Sequence, residues 1–120
     1  MQKQLVLKIG GKKRTFTFGL LFIGEVLERL DCDYNEMLEK VIKNPFKYAP
    51  VLMFESLKNS YKKDKKEIDF TEDNVIEWLE KEELFGTNLI LSFINTFIGN
   101  NENKTPLESS ENESKDVKKK

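Results

Sequence analysis

The side chains able to do chemistry form a short list here. Carboxylates are plentiful, with Glu80, Glu82 and Glu83 in one group and Asp69, Glu72 and Asp73 in another. A catalytic carboxylate needs burial or a partner to move its pKa. Both groups are interleaved with lysine or placed at expected helix ends, a pattern that reads as solvated surface. Neither group has the spacing of a calcium loop. Histidine is absent, so the side chain that titrates near neutrality without help is missing. Cys32 is the single cysteine. It has no histidine to act as its base, and it excludes an intramolecular disulfide and any multi-cysteine zinc site. Gly10-Gly11 leads into an extended segment, whereas a phosphate-cradling loop leads into a helix. No catalytic residue, cofactor site or metal site is expected.

Two basic clusters remain, Lys12-Lys13-Arg14 and the run from Lys62 to Lys66. A basic tip can meet phosphate, but no exposed aromatics are interleaved with either cluster. Twenty basic and twenty-one acidic residues leave a formal net charge of −1, which removes the broad positive field that nucleic-acid binding exploits. Nucleic acid is therefore not the expected partner. A small nucleic-acid-binding or regulatory protein that uses Lys12, Lys13 and Arg14 is the alternative reading.

The elements that position these residues follow from periodicity. Over residues 3–18, Leu5, Leu7 and Ile9 alternate with Gln4, Val6 and Lys8, Phe16 and Phe18 alternate with Thr15 and Thr17, and Gly10-Gly11 separates the two runs. Period two around a glycine pair predicts a β-hairpin. Leu20, Ile23, Val26, Leu27 and Leu30 recur at helical spacing and predict a helix over 20–31. Asp33 and Glu36 form a capping-box variant ahead of a short second helix, which Asn44-Pro45 ends. A third helix is expected from near Phe46 to about Lys62, with Pro50 early in it. Thr71 is a good N-cap for a fourth, and Gly86 marks a break. Thr87 then caps a fifth helix that stops near Gly99.

The predicted fold is therefore α+β: an N-terminal hairpin packed on four or five helices, with residues 1–99 as the globule. Residues 100–120 form a neutral mixture of acids, bases, Asn and Ser that cannot bury enough area to offset ordering, so a disordered tail is expected. The first twenty residues carry charges throughout, and no apolar run approaches the length of a membrane span. A cytoplasmic protein with no membrane contact is expected.

The fifth helix is the most informative element. Leu89, Ile90, Phe93, Ile94, Phe97 and Ile98 line one side of it. Burying each large side chain is worth roughly 1.5–3 kcal/mol, so that side must be covered. The core can cover it, and so can a partner or a second copy. Phe93, Phe97 and Ile98 are the residues expected to touch a partner.

The opening Leu5-Val-Leu-Lys-Ile-Gly-Gly-Lys, then Phe16-Thr-Phe-Gly, Asn44-Pro-Phe-Lys-Tyr-Ala-Pro and Ile68-Asp-Phe-Thr-Glu-Asp-Asn-Val-Ile-Glu-Trp-Leu resemble, in that order, the tail assembly chaperones of siphophages. The resemblance spans roughly residues 4–98. It implies a non-catalytic protein of the host cytoplasm that coats the tape-measure protein, keeps its apolar helices soluble and helps recruit tail-tube subunits during virion assembly. Self-association along the client is also expected of such a coat.

Overall fold

Gly10 and Gly11 take φ of 66° and 85°, the left-handed pair that a two-residue hairpin turn requires. They join β1 (Gln4–Ile9) to β2 (Lys12–Thr17) in antiparallel register, with Ile9 opposite Lys12, Leu7 opposite Arg14 and Leu5 opposite Phe16. The computed structural model describes residues 4–102, with side chains as far as Gly99. The expected tail over 100–120 falls almost wholly outside the described residues.

Among the described residues five α-helices follow the hairpin, and the fold is α+β. α1 (Leu20–Leu30) ends at Asp31, whose φ of 52° turns the chain so that the N–H of Cys32 reaches the Leu27 carbonyl. α2 (Tyr34–Lys43) opens on the expected capping box: the Asp33 carboxylate accepts from Glu36 N–H at 2.8 Å, and Glu36 accepts from Asp33 N–H at 2.9 Å. α3 (Pro45–Lys63) starts on a proline, whose missing donor costs nothing in a first turn. α4 (Glu72–Glu80) is capped by Thr71, with Asn74 completing the reciprocal pair. A 3-10 turn over Glu83–Gly86 leads to α5 (Thr87–Glu102). Gly99 does not stop α5, which continues through it. Thr87 differs from expectation as well. It is the first residue of the helix, and its hydroxyl donates back to the Leu84 carbonyl at 2.6 Å.

α3 is the central element and packs against β2, α1, α2, α4 and α5. Ser56 and Ser60, small and buried, let it approach β2 closely, and Ser56 Oγ donates to the Thr17 carbonyl at 3.1 Å. The core is aromatic where the hairpin meets α1 and α5. Phe18 lies 5.4 Å from Phe93 and 5.9 Å from Phe97, Phe16 meets Phe93 at 5.7 Å, and Phe22 meets Phe97 at 5.8 Å. A second cluster gathers around Phe70, with Tyr61 at 5.0 Å, Phe54 at 5.9 Å and Trp78 at 6.1 Å. None of the helices among the described residues is long and apolar enough to cross a membrane.

Candidate functional site

Phe93 and Phe97 are fully buried in that aromatic core, and Ile98 is half-buried against it. The two rings meet Phe16, Phe18 and Phe22 of the same chain. They leave no surface for a partner in this conformation. For Phe93 and Phe97 the expected contact with a partner is therefore corrected: Phe16, Phe18 and Phe22, with α3 alongside, cover them, while Ile98 keeps part of its surface exposed.

The basic hairpin tip divides in the same way. Lys12 and Lys13 are exposed, but Arg14 is buried. Its Nε donates to the Ile9 carbonyl at 3.0 Å and its Nη1 to the Tyr61 hydroxyl at 3.0 Å. Its guanidinium carbon lies 4.1 Å from the centre of the Trp78 ring, a cation–π contact. Arg14 ties the hairpin to α3 and α4 and is not presented to a phosphate.

The described side chain with the most unusual charge setting is Glu55 on α3, 2% exposed. Arg29 Nη1 donates to its Oε2 at 2.9 Å and also meets Glu72 at 2.7 Å, so one guanidinium joins α1, α3 and α4. Lys58 Nζ stands 3.1 Å from Oε1, at ion-pair distance but without hydrogen-bond geometry. Burial by itself raises the Glu55 pKa. The Arg29 and Lys58 cations outweigh that effect and hold the carboxyl below its ordinary range. A carboxylate held charged between two cations acts as a structural clamp and has no proton to offer. Burial pushes the Cys32 thiol up, and Glu36 pushes the same way, so the thiolate that a nucleophile needs is disfavoured. Among the described residues, no group of three or more Cys, Asp or Glu side chains is arranged to hold a metal ion.

An apolar recess lies elsewhere, where α3 begins and α4 turns into α5. Phe46 and Pro50 of α3, Ile76 and Leu79 of α4, Phe85 of the turn and Ile90 of α5 line a groove of about 350 Å³. Its walls are only partly inside the protein: Phe46 is 57% exposed and Phe85 68%. Leu84, next to the groove, is 71% exposed.

The backbone beneath these side chains is strained. Leu84 and Phe85 take φ of 53° and 56°, and Gly86 follows at 75°. Glycine adopts that region freely, and a Cβ at Gly86 would lie 2.7 Å from Leu79 Cδ2. Leucine and phenylalanine do not adopt it freely; each costs roughly 1–2 kcal/mol there. The chain thus carries strain to hold two large apolar side chains in water.

The charge near the groove is mixed. Glu80 lines it, and Glu77, Glu82 and Glu83 are exposed nearby in sequence, but so are Lys81, the C-cap of α4, and Lys47, next to Phe46. The sequence held one clue to the site, namely two large apolar residues, Leu84 and Phe85, between a pair of glutamates and a glycine.

Fold and site together define an α+β protein with a partly exposed apolar groove. Compared with protein-family models, curated proteins and solved structures, the chain shows no match.

Proposed function

We propose that this protein is a non-catalytic binding protein whose Phe46–Phe85 groove receives the apolar face of a helix from another polypeptide. Its resemblance to siphophage tail assembly chaperones supplies the identity of the clients: the tape-measure protein, kept soluble during virion assembly in the host cytoplasm, and the tail-tube subunits brought to it. The observation that carries this reading is the pair Leu84 and Phe85, held exposed beside the groove on left-handed backbone. A helix laid in a groove by anchors at i, i+3 or i+4 and i+7 would cover them.

Co-expression with the tape-measure protein tests the reading. The client should be soluble with the chaperone and aggregate without it. The double variant Phe46→Ser, Phe85→Ser removes two exposed rings, so its fold should persist, as circular dichroism would verify. Each ring covered by the client contributes roughly 1.5–3 kcal/mol, so binding should weaken more than tenfold and solubilisation should fail. Full solubilisation by the folded double variant would move the contact face elsewhere. A client equally soluble with and without the wild-type protein would end the chaperone reading.

A further inference from the structure

A two-residue hairpin turn closes on a hydrogen-bonded pair, here Ile9 and Lys12, and the pattern alternates from there. Leu7 and Leu5 therefore bond across to β2, while the main-chain N–H and C=O of Lys8 and Val6 point away from it. The matching outer edge of β2 is occupied at its Thr17 end, where the carbonyl accepts from Ser56 Oγ at 3.1 Å and Asn59 Nδ2 at 3.5 Å, and it carries Lys12 and Lys13 at the other end. The outer edge of β1 is different. Among the described residues, no hydrogen bond from outside the hairpin reaches the main chain of Val6 or Lys8.

The core also stops short beneath β1. Across the register, Phe16 and Arg14 are buried, while Leu5 and Leu7, which face the same way, are only half-buried. Val6 on the opposite face is 54% exposed. Open edges in native proteins are normally guarded by proline, a bulge or several charges. Lys8 is the one charge on β1, and the segment Leu5-Val6-Leu7 has no guard of its own.

We infer that β1 pairs antiparallel with β1 of a second copy about a two-fold axis through Val6, joining the two hairpins into one four-stranded sheet. The strand is self-complementary in that register. Val6 meets its own copy, Leu5 meets the second copy's Leu7 to extend the apolar inner face, and Lys8 stands opposite the second copy's Gln4. Sliding the pair so that the two Lys8 residues approach the axis would oppose like charges, which fixes the register. The formal net charge of −1 opposes association little. A two-fold pairing of β1 with itself uses up that edge in both copies, and α3 holds the Thr17 end of the β2 edge while Lys12 and Lys13 guard its other end, so the expected product is a closed dimer, not a fibre. This surface is separate from the Phe46–Phe85 groove, and either can fail without the other.

Sedimentation equilibrium over a wide concentration range, with cross-linking, tests the inference. The wild-type chain should titrate from monomer to dimer. Val6→Lys sets two ammonium groups against each other on the axis and should raise the dimer dissociation constant about tenfold or more. Val6→Pro removes the outward N–H at a position where an edge strand tolerates proline, and it should act likewise. On a Cys32→Ser background, Val6→Cys should form a covalent dimer under mild oxidation, since paired Cα atoms about 5.5 Å apart lie within disulfide reach. Lys8→Cys should not, because the two sites would sit about 13 Å apart along the strands. A monomer at every concentration would overturn the inference. So would a dimer indifferent to both the lysine and the proline, or a Lys8→Cys cross-link as efficient as that at Val6.

Discussion

Gly10 and Gly11 offer a controlled test of how the hairpin is docked. Both have left-handed φ, 66° and 85°, so alanine at either carries a comparable backbone penalty. Their surroundings differ. A Cβ at Gly11 meets nothing within 4 Å, whereas one at Gly10 would lie 2.6 Å from both Cδ2 and Cε2 of Trp78. The indole has little room to yield, since the Arg14 guanidinium lies 4.1 Å from its centre and the Phe70 ring 6.1 Å. For Gly11→Ala the left-handed cost is about 1–2 kcal/mol. The stiffer unfolded chain offsets roughly 0.4–1 kcal/mol of that. Gly10→Ala adds an overpacking cost of about 1–3 kcal/mol, plus any part of the cation–π contact that is lost when the tip lifts. The two variants should therefore differ by about 1–3 kcal/mol. With a urea dependence of about 1–2 kcal/mol per molar for a domain of this size, that gap is of the order of 1 M in midpoint. Trp78 is the sole tryptophan, so its fluorescence follows both the unfolding and the local packing. The native emission of Gly10→Ala should shift, and that of Gly11→Ala should match wild type. Equal losses in the two variants, with unchanged emission in both, would refute the docking of the tip on Trp78.

Other perturbations separate core from surface. Phe93→Ala or Phe97→Ala should cost about 3–5 kcal/mol of stability, read by urea denaturation of the isolated chain. A loss under 1 kcal/mol would return these rings to the surface. Because the folded Glu55 pKa is depressed, the stability it contributes is present above the ordinary value of 4.5 and is lost as pH falls through the lower folded value. Urea midpoints measured from neutral to strongly acidic pH should therefore fall more steeply in wild type than in Glu55→Gln as pH drops from the ordinary value through the lower folded one, and parallel curves there would contradict the Arg29–Glu55 clamp. Gly24 sits inside α1 with open space where a Cβ would go, so Gly24→Ala should stabilise the chain by roughly 0.5–1 kcal/mol. A loss of stability would mean that something packs there.

Local chemistry made most elements legible. The hairpin, the Asp33 and Thr71 caps and the Asn44-Pro45 boundary each depend on residues within a few positions of one another, and each stands where the pattern put it. Gly99 misled because a helix supported from below can absorb a glycine, and α5 is held by Phe93 and Phe97 in the turns before it. Those two rings show the limit of periodicity, which finds an apolar side but not what lies against it. Arg14 was more readable than it looked. It precedes Phe16 by two residues and so must share its inward face, but its charge suggested water. The groove was beyond reach, because it assembles the start of α3, the end of α4 and the start of α5, which only the tertiary fold brings together.

The chain must reverse between α4 and α5 so that α5 passes beneath the hairpin, and Gly86 does much to allow that reversal. The identity of the two residues before it is a separate matter. Asparagine or glycine at positions 84 and 85 would hold the same left-handed turn at less cost and would leave nothing apolar in water. Leucine and phenylalanine there carry about 2–4 kcal/mol of combined strain, a large share of the 5–15 kcal/mol that typically separates folded from unfolded protein. Neither side chain recovers that cost by burial, with exposures of 71% and 68%. The hydrogen bonds that hold the turn, Phe85 N–H to the Glu82 carbonyl at 3.1 Å and the Thr87 hydroxyl to the Leu84 carbonyl at 2.6 Å, need no apolar side chain at either position. On the proposed function, the compensation comes from a bound state in which both side chains are covered, and the adjoining groove, walled by Phe46 and Ile76, is where a covering helix would lie.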